Sequence, residues 1–155
     1  MRVHEIKGEA ARGKKVGVVV SQFNRTITDA LLTGALEALE ETGTDEVTVI
    51  RVPGALELPV AARRLIETGH QAVIALGAVI RGETDHYEHV ATQSMAGLSH
   101  LSLITGVPIG NAVLTVQEYE HARDRSLPGR GNKGYEAAMA VLESLDALDQ
   151  VVDQD

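Results

Sequence analysis

The stretch Gly77-Ala-Val-Ile-Arg-Gly-Glu-Thr-Asp-His-Tyr-Glu-His-Val90 decides the fold. Its first residues continue an apolar run that begins at Ala72 and stops at Ile80. Such a run, without the alternation of a half-exposed strand, is that of a strand buried on both faces. Arg81-Gly82-Glu83-Thr84 breaks the run, and a polar, histidine-bearing helical pattern follows. A buried strand that ends in a polar loop and turns into a helix is half of a parallel crossover unit. In open α/β sheets ligands bind at that edge, beyond the carboxyl ends of the strands.

The same grammar repeats outward from this segment. Val16–Val20 reads as a buried strand ended by Ser21-Gln-Phe-Asn24. Thr26–Thr42 reads as a helix with Ile27, Ala30, Leu31, Gly34, Ala35, Ala38 and Leu39 on one face and Gly43 at its end. Glu46–Val52 reads as a strand, Glu57–Thr68 as a helix closed by Gly69, and His86–Thr105 as a helix. A strand over Pro108–Thr115, a short helix over Glu118–Arg125 and a final helix from Gly131 to about Leu148 complete the pattern. Four buried strands alternating with helices predict a four-stranded parallel sheet in a three-layer αβα sandwich, flavodoxin-like in architecture. One domain is expected over residues 1–155. Residues 1–15 form an amino-terminal arm with little to pack on, suited to docking on a neighbouring subunit, and 149–155 a polar tail that frays.

Composition narrows the function. The chain has 155 residues, 44% hydrophobic and 23% charged, an ordinary globular mix. A net charge of −8 argues against general affinity for nucleic acid or anionic membrane. With no cysteine, disulfides, thiolate catalysis and cysteine-ligated zinc are excluded. The longest apolar runs are strand-sized, and the amino terminus is too polar for a signal peptide, so a cytoplasmic location is expected. Phe23 is the single phenylalanine, placed just after a strand.

The loops after the strands carry the chemistry-bearing residues. His86 opens a helix, where it is either a polar first-turn residue or a general acid/base, since imidazole alone titrates near neutrality. With His89, Glu83, Asp85 and Glu88 it raises a metal reading, but no His-Glu-x-x-His spacing supports one. Gly129-Arg-Gly-Asn-Lys-Gly134 imitates the dinucleotide fingerprint without the strand before it that this fingerprint needs. It reads instead as a turn capped by a helix, or as a loop where Arg125, Arg130 and Lys133 offer positive charge to a phosphate. Glu57 begins a helix, a favourable place for any carboxylate, and can also accept hydrogen bonds from ligand hydroxyls. Phe23 suits stacking on a flat heterocycle.

Phe23-Asn24, Val52-Pro-Gly-Ala-Leu-Glu-Leu-Pro59, Gly77 to His86, Val113-Leu-Thr115 and Asn132-Lys-Gly-Tyr-Glu-Ala-Ala138 stand in fixed order and spacing. Together they resemble the 6,7-dimethyl-8-ribityllumazine synthase family over about Val16–Leu148. The resemblance implies a transferase of riboflavin biosynthesis. It joins 5-amino-6-(D-ribitylamino)uracil to 3,4-dihydroxy-2-butanone 4-phosphate, releases phosphate and water, and uses no metal or redox cofactor. It implies that Phe23 stacks on the pyrimidine, that Ala55, Leu56 and Glu57 bind the same substrate, and that Ala78, Val79 and Ile80 line its ring site. Glu83 and Thr84 contact the butanone phosphate, Arg125 clamps the phosphate with Lys133 nearby, and His86 transfers protons. Many members carry Phe where this chain has Asn111, a more polar pocket wall.

The resemblance also implies a homo-oligomer, a pentamer or a 60-subunit shell of pentamers. Its sites lie between neighbours, so Phe23 and His86 face Arg125 of an adjacent copy. Ser126-Leu-Pro-Gly-Arg-Gly131 replaces a commoner loop at equal length, which favours the shell, while Pro128 leaves the assembly open. The rival readings are a non-catalytic flavin- or lumazine-binding protein on this scaffold, another phosphosugar-binding α/β enzyme, and a purely structural shell protein.

Overall fold

A computed structural model describes residues 1–151. Four strands form one parallel sheet: β1 (Lys15–Ser21), β2 (Glu46–Val52), β3 (Ala72–Ile80) and β4 (Ile109–Val116), in the order β2-β1-β3-β4. Five helices connect and cover them: α1 (Arg25–Glu41), α2 (Leu58–Glu67), α3 (His86–Thr105), α4 (Tyr119–Arg125) and α5 (Lys133–Gln150). This is the expected αβα sandwich.

Period-two alternation, hidden in the continuous apolar runs, divides the core in two. Val16, Val18 and Val20 of β1 and Ile74, Leu76 and Ala78 of β3 face the layer of α1 and α5. Val19 of β1 and Val73, Ala75 and Val79 of β3 face α2 and α3. The central strands are thus buried on both faces, as their composition requires. The edge strand β2 departs from that expectation, because Glu46, Val49 and Arg51 are exposed. An edge strand has a partner on one side only, and charge there blunts further pairing.

Local chemistry moves several boundaries. Glu57, expected to begin α2, instead ends a 3-10 turn over Ala55–Glu57, and the α-helix starts at Leu58 with Pro59 in its first turn. Helix α5 starts at Lys133 because Asn132 caps it, its Oδ1 accepting from Gly134 N and Tyr135 N. It runs to Gln150, past the expected end near Leu148. Tyr135 ties this helix to α1 by donating its hydroxyl to Glu41 at 2.6 Å, and that carboxylate pushes the phenol above its usual pKa. The arm also departs from expectation. Glu9 N donates to Asp146 Oδ2, Ala11 N donates to Leu142 O, and Ala11 is buried against the core, so this stretch packs on α5. Residues 1–7 are exposed. The fraying expected of Asp153-Gln-Asp155 lies outside the described residues.

The order β2-β1-β3-β4 fixes where a crevice opens. The chain leaves β1 toward β2 and leaves β3 toward β4. The loops after β1 and β3 therefore diverge, and a crevice opens between them at the carboxyl edge.

Candidate active site

A cavity of about 450 Å³ occupies this crevice. Its walls come from three crossover loops and the start of α3. Phe23 follows β1, Pro53 to Glu57 follow β2, and Gly82 and Thr84 follow β3. Ala78, Val79 and Ile80 supply the end of β3, while His86, Tyr87 and Val90 supply the helix.

Each loop is held by backbone bonds that extend the sheet. Gln22 N donates to Val52 O and Phe23 N to Pro53 O, carrying the β1–β2 ladder one step past the strands. Phe23 thereby stands at the rim with its side chain 72% exposed. A bare aromatic ring beside a cavity, in a chain this poor in aromatics, is a large apolar face left for a ligand or another subunit. Asn24 follows in the left-handed region at φ 58°, and its Nδ2 donates to Ala78 O at 2.9 Å.

On the opposite wall, Glu57 N bonds back to Gly54 O. Its carboxylate lies over Gly54, where a Cβ would come within 3.3 Å of Oε2. Thr84 Oγ1 accepts from His86 N at 3.3 Å, so the hydroxyl proton stays available to a ligand. The His86 side chain is exposed, lines the cavity and has no hydrogen-bond partner among the described residues. It is free to take or give a proton to whatever the cavity holds. Beside the β1 loop, Arg51 at 2.7 Å and Arg25 at 3.2 Å grip Asp29. The Arg51 bond, seconded by Arg25, holds the Asp29 carboxyl below its ordinary value.

The structure therefore gathers Phe23, Ala55, Leu56, Glu57, Ala78, Val79, Ile80, Thr84 and His86 on one cavity. Glu83 lies between two lining residues but is not itself in the wall. Asn111, Arg125 and Lys133 are elsewhere. Asn111 donates to Met95 Sδ and lines a separate depression beside α3. Arg125 donates to its own helix at His121 O, and Lys133 pairs with Glu136. His86, His89, Glu83, Asp85 and Glu88 do not form a metal cluster among the described residues.

Six wall residues were not among the candidate site residues: Pro53, Gly54 and Gly82, in loops already singled out, and Ser21, Tyr87 and Val90. Ser21 is 1% exposed at the cavity floor, and as a strand terminator it gave no sign of this. Tyr87 and Val90 share the cavity side of α3, and helical spacing from His86 would have found Val90.

The fold and this cavity define a flavodoxin-like α/β protein with a cavity at the sheet's carboxyl edge. The family model of 6,7-dimethyl-8-ribityllumazine synthase matches residues 13–149. A protein of that name from Nitratidesulfovibrio vulgaris (strain DSM 19637 / Miyazaki F) is 41% identical over 155 residues, covering 97% of this chain and 99% of its own. One from Syntrophus aciditrophicus (strain SB) is 46% identical over 144 residues, covering 91% and 94%. One from Kineococcus radiotolerans (strain ATCC BAA-149 / DSM 14245 / SRS30216) is 50% identical over 138 residues, covering 88% and 86%. The chain belongs to the 6,7-dimethyl-8-ribityllumazine synthase family.

Proposed function

We infer that the chain is an enzyme that condenses 5-amino-6-(D-ribitylamino)uracil with 3,4-dihydroxy-2-butanone 4-phosphate to give 6,7-dimethyl-8-ribityllumazine, phosphate and water. Family membership supports the reaction. The observation that carries the site is one cavity joining Phe23, Glu57, Thr84 and His86 from separate loops. An aromatic face, a carboxylate, a hydroxyl donor and a free imidazole match a flat heterocycle, a polyol, a phosphate and a proton in transit.

The substrate's own amine is the nucleophile, so the protein needs no serine or cysteine to attack. The amine condenses with the ketone to an imine and expels water, phosphate leaves, and the ring closes with loss of a further water. Phe23 stacks on the pyrimidine against Ala78, Val79 and Ile80. Ala55, Leu56 and Glu57 hold the ribityl side, and Glu83 and Thr84 meet the phosphorylated ketone. Holding both reactants in contact supplies several kcal/mol of barrier reduction, on the order of 7 or more when alignment is good. Proton transfer through His86 adds roughly 10²–10⁴-fold.

Arg125, Lys133 and Asn111 do not line this chain's cavity, and they complete it from an adjacent copy in a pentamer. Two features support assembly: the bare Phe23 ring at the cavity rim, and the exposed Val60, Leu103 and Ile104 along α2 and α3. The pentamer either stands alone or builds a 60-subunit shell, with residues 1–7 docking on a neighbour. The protein works in the cytoplasm, and no described helix is long and apolar enough to cross a membrane.

The test mixes purified protein with both substrates and follows lumazine fluorescence and phosphate release together. His86→Ala retains slow turnover, with kcat down by roughly 10²–10⁴-fold. Arg125→Ala fails mainly through a raised KM for the butanone phosphate. A dead His86→Ala together with an unaffected Arg125→Ala would overturn these roles. Light scattering reads the mass of the assembly.

A further inference from the structure

We propose that Asn24 is a positioning residue for the heterocycle, a side-chain tether that stands in for a missing stretch of strand and fixes Phe23 opposite the end of β3. The proposal rests on the reading of the cavity given above. Strand β1 pairs with β3 only as far as Val20↔Leu76, whereas β3 continues beside β4 to Ile80↔Val116. The last residues of β3 therefore have a ladder on one side only. A backbone carbonyl on the open side needs a donor or water. The Asn24 amide supplies one, donating from Nδ2 to Ala78 O at 2.9 Å.

Few residues can do this. The backbone of Asn24 sits at φ 58° and ψ 50°, a left-handed conformation costly for most L-residues. Glycine adopts it freely but has no amide. Aspartate tolerates it but turns a carboxylate toward the Ala78 carbonyl. The Asn24 carbonyl is also engaged, accepting from Ile27 N and Thr28 N at the start of α1. One residue thus joins the end of β1, the start of α1 and the tail of β3.

The consequence falls on its neighbour. Phe23 is 72% exposed, so packing within this chain does little to hold its ring. Its place is set by the backbone on either side, through Pro53 O and through the Asn24 tether. Without the tether, the loop and the β3 wall separate before ligand arrives, and ordering them is charged against binding of the flat substrate. The phosphorylated ketone gains nothing from that alignment.

Steady-state kinetics of Asn24→Gly, which keeps the left-handed backbone, and of Asn24→Asp test this. Both are expected to raise KM for the ribitylaminouracil about tenfold, the size of one lost hydrogen bond. KM for the butanone phosphate should stay within about twofold and kcat should fall less than KM rises. Equal rises in both KM values, or none in Asn24→Gly, would overturn the proposal. Hydrogen exchange of the 21–26 segment, measured without substrates, is expected to quicken in Asn24→Gly, and unchanged exchange also overturns the tether. Wild-type protein that fails to turn over these substrates refutes the assigned reaction instead, and the exchange result still decides whether the tether exists.

Discussion

Replacing Asn132 should destabilise the protein far more than its loop position suggests. Its side chain is 2% exposed and fully engaged. Oδ1 accepts from Gly134 N at 2.8 Å and Tyr135 N at 3.2 Å, and Nδ2 donates to Ala30 O at 3.1 Å and Ser126 O at 3.0 Å. The first pair caps α5 and the second fastens it to α1 and to the end of α4. Loss of the cap costs about 1 kcal/mol. Leaving a buried carbonyl without its donor costs about 1–3 kcal/mol more. Asn132→Ala should therefore lose about 2–4 kcal/mol. Asn132→Asp separates the two contributions. It keeps the cap, gains from a negative charge at the helix amino terminus, and sets a buried carboxylate against two carbonyl oxygens. It should still lose about 2 kcal/mol or more. Urea unfolding at one fixed protein concentration measures both variants, because assembly makes apparent stability concentration-dependent. An Asn132→Asp protein within about 0.5 kcal/mol of wild type would show that the two donors contribute nothing, and would refute the reasoning.

Two further perturbations follow from close contacts. A Cβ at Gly134 would overlap the Leu31 carbonyl oxygen, so Gly134→Ala must push α5 off α1. It should cost about 1–3 kcal/mol or more in the same unfolding assay, whereas Gly131→Ala, with open space around it, should stay within about 0.5 kcal/mol. Arg51 depresses the Asp29 pKa below 3.8, so their pair stabilises the fold above that value, and the gain is lost as pH falls through the lowered one. Both partners are partly exposed, and Arg51→Met should cost only about 0.2–1 kcal/mol at neutral pH. Unfolding curves of the two proteins should converge in acid, and a gap that persists there would refute the pairing.

The fold was legible because its signals are local. The run Ala72–Ile80 is apolar without interruption, and the strand occupies those residues. Glycine closed α1 and α2 where expected, with Gly43 and Gly69 both at positive φ. The misplaced boundaries have local causes that hydrophobic periodicity does not register. The 3-10 turn ending at Glu57 delays α2 by one residue, and the Asn132 cap delays α5 by two. The partial exposure of β2 follows from its edge position, and edge position depends on strand order rather than composition. For the site, residues adjacent to strand ends were readable because topology brings such ends together. Ser21 was not, since nothing in a serine after four apolar residues says that it floors a cavity. Arg125 and Lys133 were noticed only as basic residues in an acidic chain and Asn111 only through resemblance, and none of the three lines this chain's cavity.

The sheet separates two apolar clusters, and the cavity at its edge draws on them unequally. Most of its apolar lining, including Ala55, Val79, Tyr87 and Val90, packs toward α2 and α3. Of the other cluster, Ala78 and Ile80 reach the cavity at the end of β3, whereas Val16, Leu31 and Leu142 lie behind the backbone plane and do not line it. A bulkier or smaller side chain at Val79 or Val90 is thus felt mainly within one layer, and the opposite layer keeps the chain folded. Descendants of this chain can try new cargo in the front compartment while the rear compartment serves as ballast.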